Sequence, residues 1–299
     1  ERGCQFGLVP FYLYYRWNRA GNRPLEASEH SVKESLAREN IAAEVVHTSQ
    51  GLSVWPKLEK LPLVSVVVCF RDEPERTIAC LRSLKTQIGE CPVELVLVNN
   101  ESKEASVNAI QSAVQELAFE MRWVDYRKAF NFGNMNNLAV EQECKGDLIL
   151  FLNNDVFWPR PMKAIDKMVS WAQQDWVGTV GILLRYAHGG IQHAGLGARS
   201  GGHARLVRLG NLQSDDFFSK QNHTVFGTTF AACMVRKDVF LKAGGLPDIH
   251  MANGFGDVAF NFECLRHGLQ NLYLGTIEAV HDESVSRGIT YEYWEELGL

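Results

Sequence analysis

The sequence predicts an α/β fold in which a mostly parallel sheet is flanked by helices. From residue 63 onward, short apolar runs alternate with segments whose apolar residues recur at helical spacing. The run at residues 148–152 contains no polar position, which is typical of a strand covered on both faces. Because short loops join these segments, we expect right-handed crossovers within a parallel sheet.

The first half of the chain shows this alternation most clearly. Residues 1–60 do not follow this pattern. They are interpreted as an N-terminal extension, a linker or the end of a preceding domain, with residues 61–299 as the main domain. In the extension we expect an aromatic strand at 11–17 and a helix at about 31–44. Beyond it, strands are expected at 64–70, 94–98, 121–124 and 148–152, and helices at 75–87, at 105–117 and before residue 148.

The second half is less regular. Residues 187–223 are rich in Gly, His, Arg and Ser and form a long connection, and connections of this length are usually functional or disordered. We expect acceptor recognition there and after residue 245. The remaining expected elements are strands at 177–184, 225–235 and 272–274, and helices at 237–243 and 257–267.

Composition excludes several classes of protein. The 299 residues carry a formal net charge of −5, which argues against a general nucleic-acid binder. No apolar run approaches the roughly 20 residues that a membrane span needs. Seven cysteines without a C-x-x-C pair indicate neither a zinc site nor a disulfide framework, so we expect reduced thiols in a cytosolic protein. The absence of G-x-G-x-x-G and of a P-loop counts against dehydrogenases and P-loop kinases.

Polar side chains follow the buried strand at 148–152. Asn153, Asn154 and Asp155 lie where open α/β sheets bind ligands, beyond the carboxyl end of a strand. A hard divalent cation that also binds phosphates needs only one or two carboxylates from the protein, so Asp155 is a candidate ligand. His281 could add an imidazole, which suits manganese better than magnesium. The alternatives are that Asn154 and Asp155 cap a turn and that His281 is a structural histidine.

A second carboxylate, Asp257, lies at the start of a predicted helix. It is a candidate general base that removes a proton from an attacking hydroxyl while a metal neutralises the departing diphosphate. A helix-capping aspartate is the equally simple alternative.

Six separated blocks, in order, resemble family 2 inverting glycosyltransferases of the GT-A fold. The resemblance is to the rhamnosyltransferase-like branch, which builds bacterial O-antigens, capsules, lipopolysaccharides and related surface polysaccharides. Residues 130–137 are similar to the family's F-N-F-x-x-x-N-N block, and residues 190–195 to the branch's I-Q-H-A-G segment. The other four blocks are residues 64–72, 97–102, 152–155 and the tail at 281–288.

The resemblance implies a Rossmann-like sheet and a role for each matching residue. It implies a divalent metal, Mn²⁺ or Mg²⁺, on Asp155 and His281, with Asp257 as the base. The residues implied to hold the sugar nucleotide are Phe70, Asp72, Asn99, Asn131, Asn136, Asn154 and Arg287.

The resemblance also implies the partners. The donor would be dTDP-rhamnose or a UDP-sugar, and the acceptor a glycan or lipid-linked glycan, with no role for nucleic acid. Residues 13–22 resemble the segment that precedes such domains in multidomain polysaccharide synthases, which favours a fragment of a longer enzyme. We expect a cytoplasmic location at the inner face of the membrane, with peripheral association through other parts of that chain.

The chain departs from the family pattern at four places. Cys69 and Phe70 replace the usual Pro and Thr or Tyr, and Asn99 stands where many relatives carry Asp. Gly256 and Ala259 replace polar or acidic residues around the base. These differences favour an alternative reading, a catalytically silent domain that binds a nucleotide or glycan as a scaffold. A nucleotidyltransferase is a third possibility, but it would need a Gly-rich basic loop after the first strand, and residues 70–74 are a poor match to such a loop.

Overall fold

A mixed ten-stranded sheet with helices on both faces forms the centre of the protein. The computed structural model describes residues 25–48, 51–199, 205–208, 218–247 and 255–282. Two separate two-stranded ribbons lie outside this sheet. The predicted α/β class is confirmed.

The elements up to β6 alternate strand and helix as expected. An N-terminal helix and hairpin come first: α1 Leu25–Arg38, β1 Ala43–Thr48 and β2 Gly51–Pro56. The sheet then begins, with β3 Val64–Phe70, α2 Pro74–Lys85, β4 Val93–Asn99, α3 Glu104–Glu116, β5 Glu120–Asp125, α4 Phe132–Gln142 and β6 Leu148–Leu152.

The remaining elements complete the sheet. They are β7 Val156–Phe157, α5 Ala164–Ala172, β8 Val177–Arg185, β9 Ile191–His193, β10 Leu196–Arg199, β11 Arg205–Arg208, β12 Asn222–Val225, β13 Ala232–Arg236, α6 Lys237–Lys242, α7 Gly256–Arg266 and β14 Gln270–His281. A short 3₁₀ turn at Phe218–Lys220 precedes β12. The strand order in the large sheet is β12-β14-β8-β13-β6-β3-β4-β5, with β7 paired to β14 and β9 to β8, and the two ribbons are β1-β2 and β10-β11. Of the described helices, none has both the length and the apolar character that crossing a membrane requires.

Strand directions place several carboxyl ends at one edge of the sheet. Strands β6, β3, β4 and β5 are parallel neighbours. Strand β13 is antiparallel to both β6 and β8, and β14 is parallel to β8. It follows that β14 runs in the same direction as β3, β4 and β6. The residues that follow β6 and the last residue of β14 therefore meet at one edge, although more than 120 residues separate them in the chain.

The N-terminal helix and hairpin pack on the main domain. Val32, Leu36 and Val54 are buried in the same apolar cluster as strands β3 and β6. The Lys167 ammonium lies 5.1 Å from the ring centroid of Trp55, a cation–π contact. The proposed boundary at residue 60 falls in the connection between β2 and β3, and the division into two domains stays a prediction. The aromatic segment at 11–17 and residues 13–22 lie outside the described residues.

The helix expected at 31–44 is displaced. It starts at Leu25 and ends at Arg38, and residues 43–48 form a strand instead. Asn40 has a φ of 55°, a left-handed conformation that asparagine tolerates and that ends a helix. Beyond it, Val45, Val46 and Thr48 are β-branched residues, which favour a strand.

Two further strand boundaries differ from expectation. The segment 225–235 is divided between β12 and β13 by a loop, and β14 extends well beyond 272–274. Helix α5 was not indicated, although Ile165, Met168, Val169 and Ala172 are buried with helical spacing.

Candidate functional site

The carboxylate of Asp155 and the imidazole of His281 face each other at the common edge of the sheet. Asp155 Oδ1 lies 3.2 Å from His281 Nε2, and the two side chains are 16% and 8% exposed. The backbone holds this approach, because Asp282 N donates to Asp155 O at 3.1 Å and His281 pairs with Val156 across β14 and β7. The metal pair predicted from the sequence is therefore brought together, across 126 residues of chain.

The immediate partners of His281 are two amide side chains. Asn153 Nδ2 lies 3.3 Å from His281 Nε2. On the opposite side of the ring, Nδ1 lies 2.7 Å from Gln192 Oε1. Asn153, which occupies the first position of the motif that resembles D-x-D, thus contacts the candidate metal ligand. The side chain of Asn154 instead contacts α2, where its Nδ2 donates to Thr77 Oγ1 at 3.0 Å.

The donor set fits a divalent cation that other ligands complete. Among the described residues, nothing donates a hydrogen bond of good geometry to the buried Asp155 Oδ1. A buried carboxylate oxygen without a donor is costly unless a cation approaches it. Within the same described ranges, no group of three or more His, Cys, Asp or Glu side chains gathers as a metal cage. One carboxylate and one imidazole therefore suit a cation whose remaining ligands are phosphate and water.

Helix α2 borders this pair. Arg76, in its first turn, lies with Nη2 3.2 Å from Asp282 Oδ2, and its Nη1 donates to Asp282 O at 3.5 Å. Cys80, one turn further, donates to Asn153 O. Burial raises the pKa of the Cys80 thiol above its usual range, and the nearby charge of Asp155 adds to the rise. Cys80 is therefore a neutral wall of the site and not a thiolate ligand.

A second cluster of polar groups lies at the carboxyl ends of β4 and β5. Asn99 and Asp125 are opposite each other in the pairing of these strands. Asn99 Nδ2 donates to Asp125 Oδ1 at 3.1 Å, and Trp123 Nε1 donates to the same oxygen at 2.8 Å. These two hydrogen bonds, that of Trp123 first, lower the pKa of Asp125. Phe70 packs edge-on against Trp123, with ring centroids 5.6 Å apart.

The loops after β3 and β4 are tied together beside this cluster. Asp72 Oδ1 accepts from Lys103 N at 2.8 Å and from Ser106 Oγ at 3.3 Å. The hydrogen bond from Lys103 N is the main reason that the pKa of Asp72 is lowered. In return, Asp72 N donates to Ser102 Oγ, and Ser102 N donates to Asn99 Oδ1. The resulting open cleft of about 280 Å³ is lined by Asn99, Glu101, Ser102, Asp125 and Arg127.

The two asparagines predicted from the F-N-F block have structural contacts. Asn131 precedes α4, and its side chain accepts from Asn134 N at 2.9 Å as an N-cap. Asn136 is 2% exposed, and its Nδ2 donates to Phe132 O at 2.8 Å. Their roles toward a nucleotide stay predictions. Arg287 lies outside the described residues, and its predicted contact with the diphosphate stays a prediction too.

Asp257 lies in the first turn of α7. Its Oδ1 accepts from Val258 N at 2.8 Å, and its carbonyl accepts from Asn261 Nδ2 at 2.7 Å. Burial raises the pKa of the Cys233 thiol, and the charge of Asp257 contributes to the rise. The role of Asp257 as base stays a prediction.

The comparisons with known proteins identify the family. Residues 65–243, more than half of the chain, match the model of "Glycosyl transferase family 2". The chain belongs to this family. It is a glycosyltransferase, and the broad family resemblance read from the six blocks is confirmed. Membership in the rhamnosyltransferase-like branch stays a prediction.

Two curated relatives match this glycosyltransferase over most of its length. The O-antigen biosynthesis protein RfbC of Myxococcus xanthus is 30% identical over 88% of this chain, which is 20% of that protein. The uncharacterized protein y4gI of Sinorhizobium fredii is 29% identical over 91% of this chain and 30% of that protein. The chain therefore spans a third or less of the length of these two relatives.

Two solved structures share the fold of this glycosyltransferase. The mannosyltransferase PcManGT of Pyrobaculum calidifontis, in complex with GDP-Man and Mn²⁺, aligns with a TM-score of 0.57 and 15% identity, covering 80% of this chain and 62% of that one. Residues 1–349 of S. aureus TarS align with a TM-score of 0.51 and 14% identity, covering 73% and 60%. These alignments confirm the predicted GT-A fold class.

Two residues of this glycosyltransferase's site were not indicated as functional by the sequence. Asp125 ends a short strand, and only the pairing of β4 with β5 brings it to Asn99. Gln192 was recognised only as part of the I-Q-H-A-G segment, without a physical role. A carboxylate directly after a predicted strand next to a polar strand end was the available signal for Asp125.

Proposed function

We propose that this glycosyltransferase transfers a hexose, with inversion, from a sugar nucleotide to a growing bacterial surface polysaccharide in a cation-dependent reaction. The donor is dTDP-rhamnose or a UDP-sugar. The observation that carries the proposal is the approach of Asp155 Oδ1 to His281 Nε2 at 3.2 Å, at the edge where the strands end. A carboxylate oxygen without a hydrogen-bond donor beside an imidazole nitrogen is the arrangement expected of a cation site.

In this proposal Asp155 and His281 hold a divalent cation, Mn²⁺ or Mg²⁺. When bound, the cation neutralises charge on the departing nucleoside diphosphate. Asp257 accepts the proton of the acceptor hydroxyl as that oxygen attacks the anomeric carbon. Arg287 contributes a forked, permanently charged donor to the diphosphate, as the family resemblance implies.

The nucleoside lies against the second polar cluster. Phe70 and the edge-on Trp123 provide an apolar surface, and Asn99 and Asp125 provide an amide and a carboxylate beside it. Asp72 shapes the adjoining loop through Lys103 N and Ser106. Asn131, Asn136 and Asn154 contact the sugar nucleotide in this proposal, as the family resemblance implies.

Two proteins similar to this chain support this proposal. PcManGT is described in complex with GDP-Man and Mn²⁺, a sugar nucleotide and a divalent cation. RfbC is described as an O-antigen biosynthesis protein. An acceptor on a surface polysaccharide and a location at the inner face of the membrane follow from the same family resemblance.

The test is donor turnover by a defined set of variants. The enzyme is incubated with Mn²⁺ and dTDP-rhamnose, UDP-hexoses or GDP-mannose, and release of the nucleoside diphosphate is measured with and without oligosaccharide acceptors. Asp257→Asn is expected to lower transfer by at least about 100-fold while donor binding stays within about twofold. Asp155→Asn is expected to abolish the dependence on Mn²⁺.

The matched control is Glu263→Gln, which changes another carboxylate of α7, paired with Arg266 two turns from Asp257. Its turnover should equal that of the wild type. Full turnover by folded Asp257→Asn would remove this residue from the role of base. Donor binding without turnover under every condition would favour the scaffold reading instead.

A further inference from the structure

Gln192 lies behind the imidazole of His281, on the side away from Asp155. It is in the middle of β9, and 2% of the residue is exposed. We propose that Gln192 is a positioning residue, which holds His281 with Nε2 directed at Asp155 so that the two can share one divalent cation. The inference rests on the proposed function for the presence of that cation.

Two contacts fix the orientation of the Gln192 amide. Its Nε2 donates to the backbone oxygen of His281 at 3.5 Å, and its Oε1 lies 2.7 Å from His281 Nδ1. A backbone carbonyl can only accept a hydrogen bond, so the nitrogen of the amide must face it. The amide oxygen then faces Nδ1, and since this oxygen also can only accept, Nδ1 carries the proton.

The proton on Nδ1 leaves Nε2 as the ring nitrogen available to a cation. A histidine binds a metal through a ring nitrogen that carries a lone pair, so a ring protonated at Nδ1 can bind only through Nε2. Nε2 lies 3.2 Å from Asp155 Oδ1 and 3.3 Å from Asn153 Nδ2. The hydrogen bond to Gln192 thus selects, for the cation, the nitrogen that faces Asp155.

The secondary structure explains why the glutamine is rigid. Strand β9 pairs with β8, with His193 opposite Leu184. The next residue, His193, accepts from Thr229 N through Nε2 at 3.3 Å, on the loop that precedes β13. Gln192 is therefore held by its own strand and does not depend on the cation. Outer-sphere partners of this kind orient a ligating histidine and are commonly worth 10- to 100-fold in metal affinity.

Two substitutions at this position separate the acceptor from the side-chain volume. Gln192→Met keeps the length of the side chain but removes the acceptor for Nδ1–H. Gln192→Glu keeps an oxygen at that place and serves as the conservative rescue. Binding of Mn²⁺ in the presence of UDP is measured from the electron paramagnetic resonance signal of free Mn²⁺, with Asp155→Asn as the variant that lacks the ligand.

We expect Gln192→Met to weaken Mn²⁺ binding by about 10- to 100-fold and Gln192→Glu to stay within about threefold of the wild type. Wild-type affinity in folded Gln192→Met would overturn this inference and leave the proposed function intact. Absence of Mn²⁺ binding in the wild type would overturn both the inference and the cation-dependent reaction.

A second measurement needs no variant at position 192. The protein is labelled with ¹⁵N-histidine, and the ring nitrogens of His281 are assigned by comparison with His281→Gln. With Mg²⁺ and UDP bound, the expected form is the tautomer protonated at Nδ1. A ring protonated at Nε2 and bare at Nδ1 would contradict the inference, even if Gln192→Met failed to fold.

Discussion

At the scale of the residue, Asn99 shows why a departure from a family pattern needs its neighbours to be interpreted. Where the family resemblance leads us to expect Asp, this chain has an amide that donates to Asp125 Oδ1 at 3.1 Å. An aspartate at 99 would place two carboxylates against each other, and both could not be ionised without a large cost. In this chain the carboxylate of the cluster is Asp125, at the end of β5.

The coupling between Asn99 and Asp125 can be tested by exchanging the two side chains. Asn99→Asp is expected to lower the free energy of unfolding by about 1 to 2 kcal/mol at pH 7, because a donor is replaced by a like charge. The double variant Asn99→Asp, Asp125→Asn should recover most of that loss. Urea unfolding of the four proteins gives the coupling energy, and Asn108→Asp on the exposed side of α3 is the control. Additive effects would show that the pair is not coupled.

A different carboxylate, Glu94, stabilises the opposite end of the sheet. It is fully buried and accepts hydrogen bonds from Ser65 Oγ, from Lys145 N and from Arg122 Nε, the last at 2.9 Å. Burial alone would raise the pKa of Glu94, but the hydrogen bonds from Ser65, Lys145 N and Arg122 outweigh it, and the pKa is lowered.

Glu94→Gln is expected to lower the free energy of unfolding by about 2 to 3 kcal/mol at pH 7. Because the folded pKa is the lower one, this stabilisation is complete above the unfolded value of about 4.3 and is lost as the pH falls through the folded value. Unfolding in urea at pH 7 and at a series of lower pH values measures both. Glu120→Gln is the matched control, since Glu120 is 70% exposed and faces the same Arg122 at 3.6 Å; its effect should stay within about 0.5 kcal/mol. Equal losses in the two variants would contradict the assignment.

At the scale of the element, Gly195 allows the segment that follows β9 to pass close to β12. This residue has a φ of 92°, and a Cβ built on it would lie 2.6 Å from Cγ1 of Val225. Val225 is in β12 and is β-branched, so it has little rotameric freedom to move away. The glycine of the I-Q-H-A-G segment thus allows the chain to turn against β12 directly after Gln192 and His193.

Gly189 offers a matched comparison for Gly195. Its φ is 91°, but a Cβ there would meet nothing within 4 Å. Gly189→Ala should therefore lower the free energy of unfolding by about 1 kcal/mol, the cost of a left-handed backbone for a residue with a Cβ. Gly195→Ala should lower it by about 1 to 3 kcal/mol more, because the added Cβ overpacks against Val225. Unfolding in urea measures the difference directly. Equal costs would mean that the close approach of Gly195 to Val225 adds no strain.

At the scale of the whole molecule, local pattern predicted the parallel half of the fold and long-range pairing determined the rest. The apolar run at 148–152 predicted β6 with its observed ends, because a strand that is buried on both faces has an uninterrupted run of apolar residues. Asp155 and His281 were predicted as a pair through family resemblance, but their contact depends on β14 running parallel to β8. The contact of Asn99 with Asp125 depends likewise on the register of β4 and β5. No local pattern carries such registers, and Gln192 had no recognisable role without them.

The same topology predicts that donor and cation stabilise the molecule together. Asp155 follows β6, His281 ends β14, and a cation shared between them would join segments that are far apart in the chain. With Mn²⁺ saturating, UDP at about 100 times its dissociation constant should stabilise the Mn²⁺-bound fold by roughly 2.7 kcal/mol more, which corresponds to a Tm increase of about 5 °C. Either ligand alone should give much less. Thermal unfolding of the wild type and Asp155→Asn measures this: the variant should lose the joint increase and keep any increase due to UDP alone. A joint increase that persists in Asp155→Asn would place the cation elsewhere.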